Sequence, residues 1–189
     1  MKKHSLGYLL IFLGLMMFCG SAVMHSINEK QDRVAGENVA ALMENWEREL
    51  YFNLNDEDDT YYLYDMIGVV EIPVLGLCLP VLNEWNYDLL QMAPCRYSGS
   101  VEENDLILMG HDYNSHFGKL EGLQGGEQIV FFPKGAVAPF SYEVKEVVTL
   151  HKTELEELVS PDYSLSLFTC TASGQYRLVV RCVSALQNE

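Results

Sequence analysis

Three residues that could act together in acyl transfer each lie at the end of a predicted β-strand. Cys170 closes one apolar run, His111 follows another, and Arg177 opens a third. A thiolate is the attacking form of cysteine, and it needs a nearby base or cation because a free thiol is mostly protonated at neutral pH. Periodicity alone does not bring the three strand ends together. A Cys170 that packs as a small apolar side chain is therefore the alternative interpretation.

Two neighbours compete for the same roles. His116 follows His111 by five residues, and Arg181 follows Arg177 by four on the same strand face. We assign the base to His111 because it directly follows its strand, and we expect His116 to pack or cap near Phe117. Arg181 lies farther from the turn, so Arg177 is the preferred cation. The remaining histidines are interpreted as incidental: His4, His25 and His151.

The elements that must position these residues are short strands. About seven apolar or alternating runs are separated by Gly, Pro and polar turns, with little helix among them. This texture predicts a mainly β protein built as a closed barrel. The runs are 66–72, 77–82, 106–109, 128–132, 141–150, 165–170 and 176–180. Residues 83–99 form an irregular stretch, and 152–158 predict one small helix.

The N-terminal segment predicts a membrane anchor. Lys2 and Lys3 precede an uncharged, largely apolar stretch, and about twenty such residues cross a ~30 Å hydrocarbon layer as a helix. We predict a cytoplasmic tail at 1–4, a transmembrane anchor at 5–27, and an extracellular remainder, since basic residues stay inside. The competing interpretation is a cleaved signal peptide.

The anchor is followed by a predicted stalk and linker over 28–60. One helix face is formed by apolar residues at three- and four-residue spacing: Val34, Val39, Leu42, Met43, Trp46 and Leu50. The acidic run 53–59 lacks the alternating ligands and turn glycine of a calcium loop, so a solvated linker is favoured. The catalytic domain is predicted at 61–189.

Composition excludes some classes of partner. The 189 residues contain 12 Lys and Arg against 27 Asp and Glu, a formal net charge of −15. Nucleic acid is disfavoured because neutralising phosphates needs clustered basic residues. The five cysteines leave disulfides open, but a domain of this size does not need them, and a catalytic cysteine must stay reduced.

Residues 165–170 resemble the Thr-Leu-x-Thr-Cys signature of the sortase family, with Ser166 in place of the first threonine. Arg177 matches the arginine that follows in that family. Three further segments resemble sortases in the same order, namely 72–81 for the opening strands, 94–100 for class B-like members, and 106–120 for the stretch with the catalytic histidine.

The resemblance implies an eight-stranded β-barrel and a cysteine transpeptidase. Such enzymes cleave a C-terminal sorting signal, typically Leu-Pro-x-Thr-Gly, between Thr and Gly. The implied roles are Cys170 as nucleophile, His111 as general acid and base, and Arg177 as stabiliser of the substrate carbonyl or oxyanion. Implied partners are surface proteins or pilins as substrates, with a peptidoglycan precursor or pilin lysine as acceptor. No metal or organic cofactor is implied.

Two other functions fit the residues. A cysteine peptidase or amidase would use the same Cys170 and His111 but transfer the acyl group to water. A tethered β-barrel adhesion or scaffold module would need no reactive Cys170. The segment 152–164 is also shorter than the helix usual in class B members, so the subclass and the sorting motif stay open.

Overall fold

The computed structural model describes residues 2–51 and 64–185. It divides into two compact units, Met1–Val34 and Ala35–Glu189. Predicted features at 53–59, including the acidic linker, lie outside the described residues.

A single long helix, α1 (Lys2–Tyr51), includes both the predicted anchor and the helical part of the stalk. Among the described residues it is the one helix long and apolar enough to cross a membrane, with a mean hydropathy of 1.9 in its best window. Its large apolar side chains between Tyr8 and Met24 are each more than half exposed. Such a surface is consistent with single-pass membrane anchoring.

The second unit is built on a closed barrel of eight strands, which confirms the predicted mainly β fold. The strand order is β1-β2-β3-β4-β7-β8-β6-β5, and β5 pairs with β1 to close the barrel. The pairs β2/β3 and β4/β7 are parallel and the others antiparallel. The strands are β1 (Met66–Ile72), β2 (Leu77–Leu82), β3 (Cys95–Ser98), β4 (Leu106–Gly110), β5 (Gln128–Pro133), β6 (Phe140–His151), β7 (Leu165–Cys170) and β8 (Tyr176–Ser184).

Two short elements lie in the stretch that the sequence indicated to be irregular. The helix α2 (Tyr87–Leu90) begins at Asn86, whose side chain accepts hydrogen bonds from two backbone amides of its first turn. The strand β3 then pairs with β4 through Cys95 and Met109. The small helix expected at 152–158 is present as α3 (Leu155–Leu158).

The barrel interior is filled by side chains that alternate with outward-facing neighbours along each strand. On β7, Leu165 and Leu167 face inward, and on β8 so do Val180 and Cys182. Inward residues from all strands except β3 form one continuous apolar core. The alternation places Phe168 and Val179 on the outer surface, where they need separate cover.

The outer surface is covered in two places. The first cluster lies under α1 and includes Leu42, Trp46, Val69, Leu82 and Cys95. The second lies under α3 and is formed by Ile107, Leu150, Leu158, Phe168 and Val179. Each cluster removes apolar area from water and so holds α3, and the part of α1 at Leu42 and Trp46, against the barrel wall.

The helix face of α1 differs from the predicted one by one position at its start. Val34 is 42% exposed, whereas Ala35 is 1% exposed. Val34 therefore has the apolar spacing of the face but is exposed, and Ala35 is the buried residue at this point. The small side chain of Ala35 and the neighbouring Gly36 allow close approach, and a Cβ on Gly36 would lie 3.5 Å from Cβ of Ser115.

Candidate active site

Strand pairing brings the three predicted residues together at one end of the barrel. Gly110 pairs with Thr169 across the parallel strands β4 and β7, and His111 and Cys170 are the next residue of each chain segment. Cys170 pairs directly with Arg177 across β7 and β8. Adjacent strands lie about 4.8 Å apart, so the backbone places Cys170 between His111 and Arg177.

Cys170 and Arg177 share the outer face of the barrel, and His111 lies at the end of the neighbouring strand. Cys170 is two residues beyond Phe168, and Arg177 is two residues before Val179, both of which belong to the outer cluster under α3. His111 follows Met109, which packs against the same cluster. Because residues two apart on a strand share a face, the Cys170 thiol and the Arg177 guanidinium belong to one surface, and His111 follows directly after the end of β4 beside them. The side chains of all three are partly exposed, as access by a substrate requires.

The loop after β4 gives His111 a defined position. The amide of Phe117 donates to the carbonyl of His111 over 3.1 Å, and the amides of His116 and Gly118 both donate to the carbonyl of Tyr113. Phe117 is fully buried, and a Cβ on Gly110 would lie 2.6 Å from its ring. Only glycine therefore allows the strand to pass Phe117 at this distance.

The electrostatics of the site favour a neutral imidazole at rest. Burial lowers the pKa of His111 below the ordinary histidine value, because desolvation penalises the charged form. Its ring lies 4.8 Å from the ring of Tyr113, centroid to centroid. A neutral imidazole can accept a proton from a thiol, which is the first requirement of a Cys–His pair.

His116, the competing histidine, is fully buried in the same loop. Its ring lies 5.5 Å from that of Tyr113, centroid to centroid. A substrate could not reach it unless the loop moved. His111 is therefore the more accessible of the two histidines, and its role as base stays a prediction.

The two arginines of β8 differ in their hydrogen-bond partners. Arg177 donates from Nη1 to the carbonyl oxygens of Gly174 and Tyr176 in its own turn, at 3.4 and 3.1 Å. Arg181 instead donates to Glu146 Oε1 at 2.8 Å and to the backbone carbonyl of Glu157 in α3. The contacts of Arg181 tie it to the barrel wall and leave Arg177 beside Cys170.

The five cysteines differ in how deeply they are buried. All five lie within the described residues, and none of them forms a disulfide. Burial raises the pKa of Cys95 and of Cys182 to about 12, so both remain protonated. Cys170 is only partly buried. It is preceded by Thr169, whose hydroxyl faces the barrel interior and has no hydrogen-bond partner among the described residues.

No group of three or more His, Cys, Asp or Glu side chains in 2–51 and 64–185 is arranged to hold a metal ion. The absence of a cofactor remains an expectation from the sequence.

One part of the surface beside the site was not predicted. Trp85 stacks on Tyr97 with ring centroids 6.0 Å apart, and Tyr97 meets Phe168 edge-on at 5.3 Å. A surface cavity of about 500 Å³ opens beside this stack, lined by Asn83, Glu84, Trp85, Arg96, Tyr97, Ser98 and Gly99. Trp85 and Tyr97 lie in the stretch without clear periodicity, so only their aromatic type could have drawn attention to them.

Comparison with known proteins identifies the family. Residues 70–185, more than half of the chain and including all three predicted site residues, match the model of the sortase domain. The chain belongs to the sortase family. Sortases are cysteine transpeptidases, so the family supplies the activity. The comparison with curated proteins finds no match.

Solved sortase structures share the fold. Sortase C1 from Streptococcus suis is 27% identical, with a TM-score of 0.54 over 67% of this chain and 78% of that one. The sortase D5 transpeptidase of Clostridium perfringens is 19% identical, with a TM-score of 0.62 over 81% of this chain and 99% of that one. A pilus-related sortase C of Group B Streptococcus is 20% identical, with a TM-score of 0.56 over 65% and 69% of the two chains. These are class C and D enzymes, so they lend no support to the class B-like assignment.

Proposed function

We propose that this sortase cleaves a Leu-Pro-x-Thr-Gly-like sorting signal between Thr and Gly, with Cys170 as nucleophile, His111 as acid and base, and Arg177 as stabiliser of the substrate carbonyl. The observation behind the assignment is the strand register that sets Cys170 between His111 and Arg177. His116 is fully buried, and Arg181 is hydrogen-bonded to Glu146. Neither is therefore as well suited to these roles as His111 and Arg177.

The first half-reaction forms a thioester. The Cys170 sulfur attacks the threonine carbonyl after its proton passes to His111, and the resulting oxyanion is met by the guanidinium of Arg177. The C–N bond to glycine then breaks, and the protonated His111 donates its proton to the leaving amine. Because Arg177 touches the oxygen as charge develops, it accelerates the chemical step and does not merely tighten binding.

The second half-reaction transfers the acyl group to an amine. His111 removes a proton from the incoming amine, which attacks the thioester carbonyl, and the C–S bond breaks to return the Cys170 thiol. The new amide replaces the one cleaved, so no external energy source is needed. The acceptor is an amine of a peptidoglycan precursor or a pilin lysine, both of which supply this chemistry.

The cellular location we propose follows from the anchor. Lys2 and Lys3 precede the apolar part of α1, and this asymmetry favours a cytoplasmic N-terminus with the barrel outside the cell. Substrates and acceptors would then be surface or pilin proteins and cell-wall precursors on the outer side of the membrane. Protease added to protoplasts should digest the barrel while sparing an N-terminal tag. A protected barrel would reverse the topology.

The test of function uses the full chain in detergent micelles with peptides that contain Leu-Pro-x-Thr-Gly or close variants. Each peptide is incubated with and without triglycine, a lysine peptide or a peptidoglycan stem peptide, and products are identified by mass spectrometry. We expect a product in which the acceptor amine is joined to threonine, formed by the parent and lost in Cys170→Ala.

The matched control is Cys78→Ala, which removes an exposed cysteine from β2, outside the proposed site. This variant should retain parent activity. Product formed equally by Cys170→Ala would exclude Cys170 as nucleophile. Hydrolysis alone in the presence of every acceptor would favour the peptidase alternative.

A further inference from the structure

Arg181 joins three parts of the molecule that are far apart in sequence. Its Nη1 donates to Glu146 Oε1 of β6 at 2.8 Å, and Tyr163 Oη donates to the same oxygen at 2.8 Å. Its guanidinium carbon lies 5.1 Å from the ring centroid of Tyr163, and its Nη2 donates to the carbonyl oxygen of Glu157 in α3. We call this group, consisting of Arg181, Glu146, Tyr163 and the Glu157 carbonyl, the Arg181 clamp.

The clamp is largely shielded from water on its basic side. The Arg181 side chain is 13% exposed, while that of Glu146 is 39% exposed. Hydrogen bonds to charged groups contribute more than neutral ones, and shielding from water reduces their screening. The Glu146 carboxylate accepts from both Arg181 and Tyr163, and these bonds lower its pKa, so it is ionised at neutral pH.

The clamp holds the middle of the connection 152–164 between β6 and β7. Its two ends are secured independently of Arg181. At the first end the amide of Lys152 donates to the carbonyl of Gln175, and at the second the amide of Ser164 donates to the carbonyl of Cys182. Between these points α3 is held by the buried side chain of Leu158 and by the Arg181 contact to the Glu157 carbonyl.

The position of α3 affects the surface next to Cys170. Leu158 packs in the outer cluster with Phe168, and Phe168 lies on the same face of β7 as Cys170, two residues away. That spacing is about 7 Å along a strand. The α3 segment is therefore a wall of the surface that a peptide must occupy when its carbonyl meets the Cys170 sulfur.

We propose that Arg181 is a positioning residue for peptide binding, which keeps α3 against the face of Phe168 and Cys170 so that the wall is formed before substrate arrives. This inference rests on the proposed function and extends it to a residue that touches neither the sulfur nor the reacting carbonyl. A preformed wall spares the substrate the entropy of ordering the segment. Loss of the clamp should therefore raise KM. It should leave kcat nearly unchanged, because the residues of the chemical step at Cys170 are still in place.

The experiment compares Arg181→Met, which keeps the aliphatic length and removes the hydrogen bonds, with Tyr163→Phe and the parent. We measure KM and kcat for a cleavable peptide and hydrogen exchange of 152–164, all on the full chain in micelles. Arg181→Met should raise KM about tenfold, since hydrogen bonds to charged groups contribute on this scale, with kcat within about twofold. Exchange in 152–164 should speed up while that of β7 is unchanged. Tyr163→Phe removes one of the bonds and should give a smaller change in the same direction.

The matched control is Lys145→Met, which removes an exposed cation of the same strand as Glu146 without touching the connection. It should leave both KM and exchange unchanged. Faster exchange without a change in KM would overturn the inference, as would a fall in kcat at constant KM. A parent enzyme that turns over no peptide would overturn the proposed function and the substrate part of this inference together. Exchange in 152–164 would still decide whether Arg181 holds α3.

Discussion

Cys170 and Arg177 are a direct pair across the antiparallel strands β7 and β8. The pairing fixes the distance between their backbones through the sheet and not through side-chain contacts. The Arg177 guanidinium donates to carbonyl oxygens of the turn that joins the two strands, so it stays on the side of the sheet that carries Cys170. The relationship explains why the turn between the two strands can be polar and exposed while the site stays in register.

Replacing Arg177 tests whether it acts on developing charge. Loss of a donor to an oxyanion lowers kcat by about 10²–10³-fold, and we expect a loss of this size for Arg177→Met. Arg177→Lys should recover only part of the activity, because a single ammonium cannot reproduce the planar fork of donors. The measurement is steady-state peptide cleavage with unfolding temperature as the check on folding. A rise in KM at constant kcat would instead assign Arg177 to ground-state binding.

Gly110→Ala tests the packing beneath the histidine loop. The added Cβ would approach the buried Phe117 ring to 2.6 Å, so the ring or the strand must shift. Overpacking of this kind costs about 1–3 kcal/mol of unfolding free energy, and the shift should also displace His111 and reduce kcat. Denaturant unfolding and peptide cleavage measure the two effects.

The control for Gly110→Ala is Gly122→Ala, where the nearest atom to the new Cβ is a Leu75 methyl at an ordinary 3.5 Å. It should be close to neutral in both stability and kcat. Equal unfolding free energy and equal kcat in the two variants would show that the close approach of Gly110 to Phe117 does not matter.

Gly36 in α1 tests whether the helix supports the histidine loop. A Cβ there would be 3.5 Å from Ser115 Cβ, which is four residues after His111. Gly36→Phe should force the helix from the loop, with a cost of about 1–3 kcal/mol and a fall of about tenfold in kcat/KM. Ala40→Phe adds the same ring at an exposed position of α1 and should change neither quantity. A stable, fully active Gly36→Phe would show that the helix contact is dispensable.

The sequence predicted where strands end better than it predicted which strands pair with each other. Runs that close at Cys170 and His111 are visible because apolar residues stop abruptly at polar turns. The parallel pairing of β4 with β7, which places these two residues side by side, is a long-range contact that no local pattern encodes. The resemblance to sortases supplied that juxtaposition before the structure did.

Other parts failed for physical reasons that can be identified. The strand β3 has only four residues, too few for a period to emerge, and pairs with β2 at a single position. Val34 fits the apolar spacing of α1, but the small Ala35 is the residue that allows close approach. Arg181 shares strand, face and residue type with Arg177. In the structure the two differ in their contacts, because Arg181 donates to Glu146 and to the Glu157 carbonyl, whereas Arg177 donates to carbonyls of its own turn.

Acidification should reveal the burial of His111. Because its pKa is lower folded than unfolded, the unfolded chain binds more protons, and stability rises with pH through this window. The stabilisation is complete above the unfolded value of about 6.5 and is lost as pH falls toward the lowered folded value. Urea unfolding at pH 7.5 and 5.5 should therefore show a larger loss for the parent than for His111→Asn. The remaining histidines are common to both proteins and cancel. An equal loss of unfolding free energy in both proteins would show that protonation of His111 does not destabilise the folded state.

The central claim is that Cys170 forms a thioester with the threonine of the sorting signal. The full chain in micelles is mixed with a Leu-Pro-x-Thr-Gly peptide without an acceptor amine, quenched in acid within the first turnovers, and analysed by intact and peptide mass spectrometry. We expect an added mass equal to the peptide acid up to threonine less one water, located on Cys170 and discharged by hydroxylamine or triglycine. An adduct on another residue, or cleavage of the peptide by Cys170→Ala at the parent rate, would contradict it.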